Sequence, residues 1–372
     1  MLPRLLGHVL RGEAVAECPG EAQWARLLAQ AARHKVLPTL AAVLPLLPEK
    51  PAPQICRQLE GALMQQMLVG SNQLHAAKQL QEGLESKGLD NMPLKGIRTK
   101  LLYPQDYMRS MGDLDLLCKP EQDKAVKTAM EALGYGGHES GRKHDHYRRE
   151  PYILVEMHRE MVAASSPFSR YFKDIWQRAK LLPGCKYSYV MTTEDEYIYN
   201  LIHLVEHFRD GGVGLRFVMD VYVYETFAEL DREYLREQLK KLHLEEFYGN
   251  AVKLAMHWFR DGEADALTER MARFVLSGGV YGTAETASAN SVSKGGRLGF
   301  LLRTCFPGFR EMCSMYPWLE KLPIALPVTW VMRAVDSLLH RRKNIKSQFD
   351  TAARGDASRG KELRAFYRDC GL

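Results

Sequence analysis

The residues that decide the fold are Pro93-Leu94-Lys95-Gly96 and, after a short interval, Arg109-Ser110-Met111-Gly112-Asp113-Leu114-Asp115-Leu116-Leu117. Two carboxylates stand two apart inside an apolar run. On a β-strand such residues share a face, so Asp113 and Asp115 point one way while the leucines face a core. Like charges side by side on a half-buried strand each raise the cost of ionising the other. The pattern makes physical sense when a divalent cation lies between them, and Mg²⁺ takes a few carboxylates together with phosphate oxygens. A strand over 111–118 is therefore expected. The plainer alternative is a solvated strand edge whose acids pair with nearby arginines.

A second strand is expected at Tyr152-Ile153-Leu154-Val155-Glu156-Met157-His158, an apolar and β-branched run carrying an acid near its end. If it lies beside the first, Glu156 completes a cluster of three carboxylates. His158 falls two residues on and shares that face. It is read either as a partner of Glu156, substrate or metal, or as a structural histidine at the strand end. Gly96 is expected to open a helix over 96–102, with free N–H groups turned to an anion and no side chain to keep a phosphate away. Lys95 adds a cation, or is a surface lysine beside a turn. Arg109 precedes the acidic strand and pairs either with a phosphate or with Asp113, since a planar guanidinium suits both.

Glycine, strand, acid-x-acid and a later strand with a third acid together resemble the nucleotidyltransferase superfamily of the DNA polymerase β type. A closer similarity is to the bacterial family of uncharacterised nucleotidyltransferase-like proteins. It is carried by Leu94-Lys95-Gly96, Leu102-Tyr103, Arg109, Gly112-Asp113-Leu114-Asp115-Leu116-Leu117, Gly134-Tyr135 and Val155-Glu156-Met157-His158. His203, His207 and Arg216-Phe217-Val218-Met219-Asp220 resemble a helix and a following turn in those proteins, so the likeness spans about residues 90–220. The resemblance implies an enzyme that moves a nucleoside monophosphate from a nucleoside triphosphate to an acceptor hydroxyl and releases pyrophosphate. Asp113, Asp115 and Glu156 would hold Mg²⁺ or Mn²⁺, and Lys95, Gly96, Arg109 and His158 would attend the nucleotide. Ile97 departs from the Ser or Gly that usually follows the glycine, and the interval to Asp113 is longer than in the commonest form. A noncatalytic nucleotide-binding protein of the same fold is the alternative.

Other clusters compete. His203-x-x-Glu206-His207 has the order of an inverted zincin helix, which would make the chain a zinc hydrolase. No third ligand is evident, and the favoured role for these histidines is to line a pocket with Arg216 and Asp220. His138, Arg142, Lys143, His144 and His146 read as a solvated loop, with an acceptor- or phosphate-binding loop as the minor reading.

The rest of the chain bounds these readings. Its 372 residues are 46% hydrophobic, enough for a sizeable core. The formal charge of +6 suits an anionic small substrate and falls short of a nucleic-acid groove, so no long nucleic acid is expected as partner. The acceptor is expected to be a small molecule or a protein. Seven scattered cysteines without a C-x-x-C pair suggest reduced thiols. No apolar run approaches the ~20 residues of a membrane span, and no secretory leader is evident. A soluble, cytoplasmic protein is expected. The division is a helical region over 1–89, an α+β core with a small mixed sheet over 90–190, and a helical region over 191–372. Within it, a helix after Pro53 carries an apolar stripe of Leu59, Leu63, Met67, Leu74, Ala77, Leu80 and Leu84, and Gly88 stops it. Gly134, Gly136 and Gly137 break a helix begun at Pro120, and residues 146–149 pair with the Glu156 strand. Thr193 and Glu196 form a capping box. A Ser/Gly-rich loop is expected over 288–299 and a charged tail from His340.

Overall fold

The acidic stretch forms part of a five-stranded mixed sheet. In a computed structural model, residues 1–140, 144–151, 153–279, 305–340 and 357–372 are described. The strands are β1 (Asn91–Pro93), β2 (Leu114–Cys118), β3 (Gly136–Ser140), β4 (His144–Arg149) and β5 (Ile153–His158), in the spatial order β1-β2-β5-β4-β3. β2 and β5 run parallel, and the other neighbours are antiparallel. Helices α1 (Leu2–Arg11), α2 (Glu21–Arg33), α3 (Leu37–Ala41) and α4 (Pro53–Ser86) precede the sheet. Within it lie α5 (Gly96–Thr99) and α6 (Asp123–Ala132), and after it α7 (Ile175–Arg178), α8 (Thr193–Asp210), α9 (Leu215–Phe227), α10 (Arg232–Leu242), α11 (Glu245–Arg260) and α12 (Ala266–Gly278). Further helices cover Phe309–Met315, Leu326–His340 and Ala357–Asp369. The fold is α+β, as the sequence implies.

The period of two divides the sheet into two chemistries. Leu114, Leu116, Tyr147, Ile153, Val155 and Met157 pack against Ala76, Leu80 and Leu84 of α4 and Val126, Ala129 and Met130 of α6. The opposite face follows from the register. One row is Asp115, Glu156 and His146; the next is Leu117, His158 and His144. Leu117 joins a larger core that runs from Leu2 to Cys370 and includes Tyr199 of α8. The polar face is thus held between the sheet and the helical part of the molecule.

Several local expectations need correction. The acidic strand begins at Leu114 rather than Met111, so Asp113 sits just before its first ladder residue. Residues 136–140, read as a helix break, form strand β3 with a register shift between Gly136 and Glu139, the irregularity a bulge produces. Only Gly134 and Gly137 of that glycine cluster take positive φ, at 80° and 63°. The strand expected over 146–149 begins two residues earlier, so His144 joins His146 on β4 rather than lying in a loop, and the segment around Arg216 is the helix α9 rather than a turn. The cap of α8 is Thr192, whose hydroxyl accepts from the Asp195 N–H at 3.1 Å, one residue before the expected box. In α4, Leu59, Leu80 and Leu84 of the expected stripe are buried and Leu63 and Ala77 pack against the cores; Met67 is exposed, and Gly70, Gln73 and Ala76 join the buried face. Arg142, Lys143 and Tyr152, the loop over 288–299 and the basic run over 341–343 lie outside the described residues. No described helix is long and apolar enough to cross a membrane.

Candidate active site

The site begins where β1 leaves the sheet. The Leu94 N–H donates to the Asp115 carbonyl at 2.9 Å, which carries the chain alongside β2 for one more residue. Lys95 follows with φ 41° and ψ −116°, a conformation that a side-chain-bearing residue adopts at a cost of about 1–3 kcal/mol. That turn delivers its ammonium inward. Nζ lies 3.1 Å from Asp115 Oδ1 and 5.9 Å from the centre of the Tyr199 ring.

Asp115 is buried and also accepts from His158 Nε2, 2.7 Å from the same Oδ1. Burial alone would raise its carboxyl. Lys95 and His158 outweigh burial and hold it well below the ordinary carboxylate range. An ionised carboxylate only accepts, so the proton of this bond is on His158 Nε2. Burial likewise works against the Lys95 ammonium, but Tyr199 and Asp115 hold its pKa above the usual lysine range.

Glu156 is the cross-strand partner of Asp115. Its Oε2 lies 3.4 Å from both His158 Nε2 and His144 Nε2, and its Oε1 lies 3.7 Å from His146 Nδ1. The hydrogen bond from His158 is the main reason its carboxyl is lowered; burial and the Asp115 charge oppose it. Asp113 behaves in the opposite way. Burial, then the Asp115 charge and then Glu156 raise its carboxyl, with Lys95 and Arg216 pulling the other way. The three carboxylates therefore sense one another, but the compensation is unequal.

Asp115, Glu156 and His158 bring a donor atom each within 4.8 Å of one another, and so do His144, His146 and Glu156. Asp113 belongs to neither set. The donors fit a divalent cation. Two carboxylates face each other on adjacent strands, and Asp113, raised by burial first, also senses both of their charges, which such an ion would offset.

The other sequence candidates divide. Gly96 opens α5 and is buried; a Cβ there would stand 2.8 Å from Met111 Sδ and 2.9 Å from Arg109 Nη1. Its missing side chain is thus used by packing. Arg109 is buried, and its Nε and Nη2 meet the two Asp220 oxygens at 2.8 and 2.9 Å while Tyr103 donates to Asp220 at 2.7 Å. Asp220, expected beside a pocket, is a buried anchor that ties α9 to the loop before β2. Arg216 Nη1 donates to the Ser110 carbonyl at 3.0 Å. His203 and His207 place their Nε2 atoms 3.1 Å apart, next to Phe217. Glu206 accepts from Ser166 at 2.9 Å, and among the described residues neither histidine joins a set of three possible ligands. The zincin order is not accompanied by a zincin site.

Two features escaped the sequence reading: the left-handed turn at Lys95 and the alignment of His144 and His146 with Glu156. The first has no signal in residue type, since glycine is the usual occupant. The second was legible as a period of two, His144-x-His146. A cleft of about 770 Å³ opens just past the end of β5, lined among others by Leu117, Arg159, Arg170, Lys173 and Trp176. Comparison with protein families matches residues 20–260 to a family described as uncharacterised nucleotidyltransferase. Searches of curated proteins and of solved structures returned no significant match.

Proposed function

The chain belongs to the uncharacterised nucleotidyltransferase family, and from that premise we propose that it transfers a nucleoside monophosphate from a triphosphate to an acceptor hydroxyl. The acceptor oxygen bonds to the α-phosphorus as its proton passes to solvent, the bond from that phosphorus to the bridging oxygen breaks, and pyrophosphate leaves with the electron pair. The observation that carries the reading is the register of Asp115 with Glu156 on adjacent strands, with Asp113 raised by burial first and then by both charges. These three residues would hold Mg²⁺ or Mn²⁺, and the chemistry so supplied would be neutralisation of the phosphates and a lower pKa for the acceptor hydroxyl. Lys95 and Gly96 stand beside the phosphates. His158 orients Asp115 through its 2.7 Å bond. Arg109 acts through Asp220, fixing the loop that leads to Asp113. The core is residues 90–190, flanked by helical regions 1–89 and 191–372, and the setting is cytoplasmic, where triphosphates and cysteines outside disulfides belong.

The acceptor enters the cleft past β5. Its volume is that of a small-molecule site, and Arg170 and Lys173 favour an acceptor bearing negative charge, while Arg159 is held by Asp123 and Asp145. A second reading, nucleotide binding without turnover, draws on Lys95 and His158 both engaging the same Asp115 oxygen. The test is incubation of the full chain with α-labelled triphosphates, Mg²⁺ and a cell extract. Transfer of label with pyrophosphate release supports the enzyme. Bound nucleotide without transfer supports the second reading, and neither binding nor transfer contradicts both.

A further inference from the structure

The open face of β4 and β5 carries a second group of donors whose chemistry differs from that of the carboxylates. His144 and His146 project from the same face of β4, and Glu156 stands across from His146 on β5. The gaps are 3.4 Å from His144 Nε2 to Glu156 Oε2 and 3.7 Å from His146 Nδ1 to Glu156 Oε1. Around a tetrahedral zinc ion, with bonds of about 2.0–2.1 Å, neighbouring ligand atoms lie about 3.3–3.4 Å apart. Each histidine faces its own Glu156 oxygen near that spacing, and one donor atom from each of the three residues lies within 4.8 Å of the others.

We infer that His144, His146 and Glu156 form a site for a transition-metal ion of the Zn²⁺ class, next to the carboxylate site and sharing Glu156 with it. Two imidazoles and one carboxylate are a poor set for Mg²⁺, which prefers oxygen, and a good one for Zn²⁺ or Co²⁺. The side chains of His144, His146 and Glu156 are 24%, 41% and 19% exposed, so an ion can reach them from solvent. Three protein ligands leave a fourth position for water or a substrate atom, the arrangement of catalytic rather than structural zinc. The ring of His158 lies 4.7 Å from that of His144, on the side toward Asp115. This inference does not depend on nucleotidyl transfer. A bare histidine–glutamate ion pair is the competing account of the same distances.

The full chain, stripped with chelator and dialysed, is titrated with Zn²⁺ alone by elemental analysis and with Co²⁺ alone by visible absorption. One equivalent of Zn²⁺ per chain and d–d absorption of bound Co²⁺ are expected, with an excess of Mg²⁺ failing to displace either. His144→Ala and His146→Gln should each weaken Zn²⁺ at least by the about 10–100-fold that loss of an outer-shell partner costs, with unchanged circular dichroism. Asp113→Asn should leave Zn²⁺ affinity as it is. No stoichiometric Zn²⁺ on the unmodified chain, or undiminished Zn²⁺ on folded forms of both histidine variants, overturns the proposal. Neither readout uses nucleotide, so failure here and failure of the transfer reaction are separate results.

Discussion

Asp113 and Asp115 are the same residue type two positions apart, and their surroundings make them respond oppositely to substitution. The sequence view treats both as strained by mutual repulsion. Asp115 is instead compensated by Lys95 at 3.1 Å and His158 at 2.7 Å; Asp115 and His158 are buried, and the Lys95 side chain is 15% exposed. Asp115→Asn leaves the Lys95 ammonium buried without its counter-ion, which is expected to cost about 3 kcal/mol. Asp113→Asn removes a charge that its neighbours already disfavour, so the melting temperature should hold or rise. The pH dependence follows from the signs. Asp115 is lowered in the folded state, so its contribution is present above the unfolded value of about 3.9 and is lost as pH falls through the lower folded value. Lys95 is raised, so its contribution is present below about pH 10.4 and is lost above that. Thermal unfolding of both variants from pH 2 to pH 11 checks this account; equal melting temperatures for the two at pH 7 would contradict it.

At the scale of elements, one buried ion pair and one half-buried pair fix the site to the helical bundle. Arg109 and Asp220 join the loop before β2 to α9, and Arg98 of α5 meets Glu196 of α8 at 2.7 Å. The second pair carries a pH signature. Burial pushes the Glu196 carboxyl up to about 7, and Arg98 only partly opposes it. A raised folded value means stability is fully present below the unfolded carboxylate value, about 4.3, and is lost as pH rises toward 7. Glu196→Gln should flatten that part of the stability profile and raise the melting temperature at pH 8. Denaturant unfolding from pH 4 to pH 8 measures it, and an unchanged slope would place the titration elsewhere. What the sequence made legible here is instructive. Strand β5, the α8 period and the helix opening at Gly96 are local patterns, and they form within a residue or two of expectation. The destinations of Arg109 and Glu196 were not legible, because their partners lie 111 and 98 residues away. Asp220 looked like a pocket residue for the same reason: an acid on a helix shows its type but not which buried cation it meets. β3 was missed because three glycines read as a break, while the ladder with β4 overrides their weak strand propensity.

For the molecule as a whole, the sheet supplies a polar face, and the core that runs from the first helix to the last closes over one side of it. A ligand that binds only the folded state adds stability by mass action, about 2.7 kcal/mol at a hundredfold excess over Kd. The central claim is narrower: the carboxylates of Asp113, Asp115 and Glu156 bind a triphosphate through a divalent cation. Asp113→Asn is the informative variant, since Asp113 has the least buried compensation of the three and its loss spares Lys95 and His158. The measurement is calorimetric titration of the four ribonucleoside triphosphates, with Mg²⁺ and again with chelator, into the unmodified chain and into Asp113→Asn. At least one triphosphate should bind the unmodified chain with Mg²⁺ and not with chelator, and its affinity for the folded variant should fall by about tenfold or more, the equivalent of 1.4 kcal/mol. Equal affinity for both chains, or binding indifferent to chelator, would contradict it.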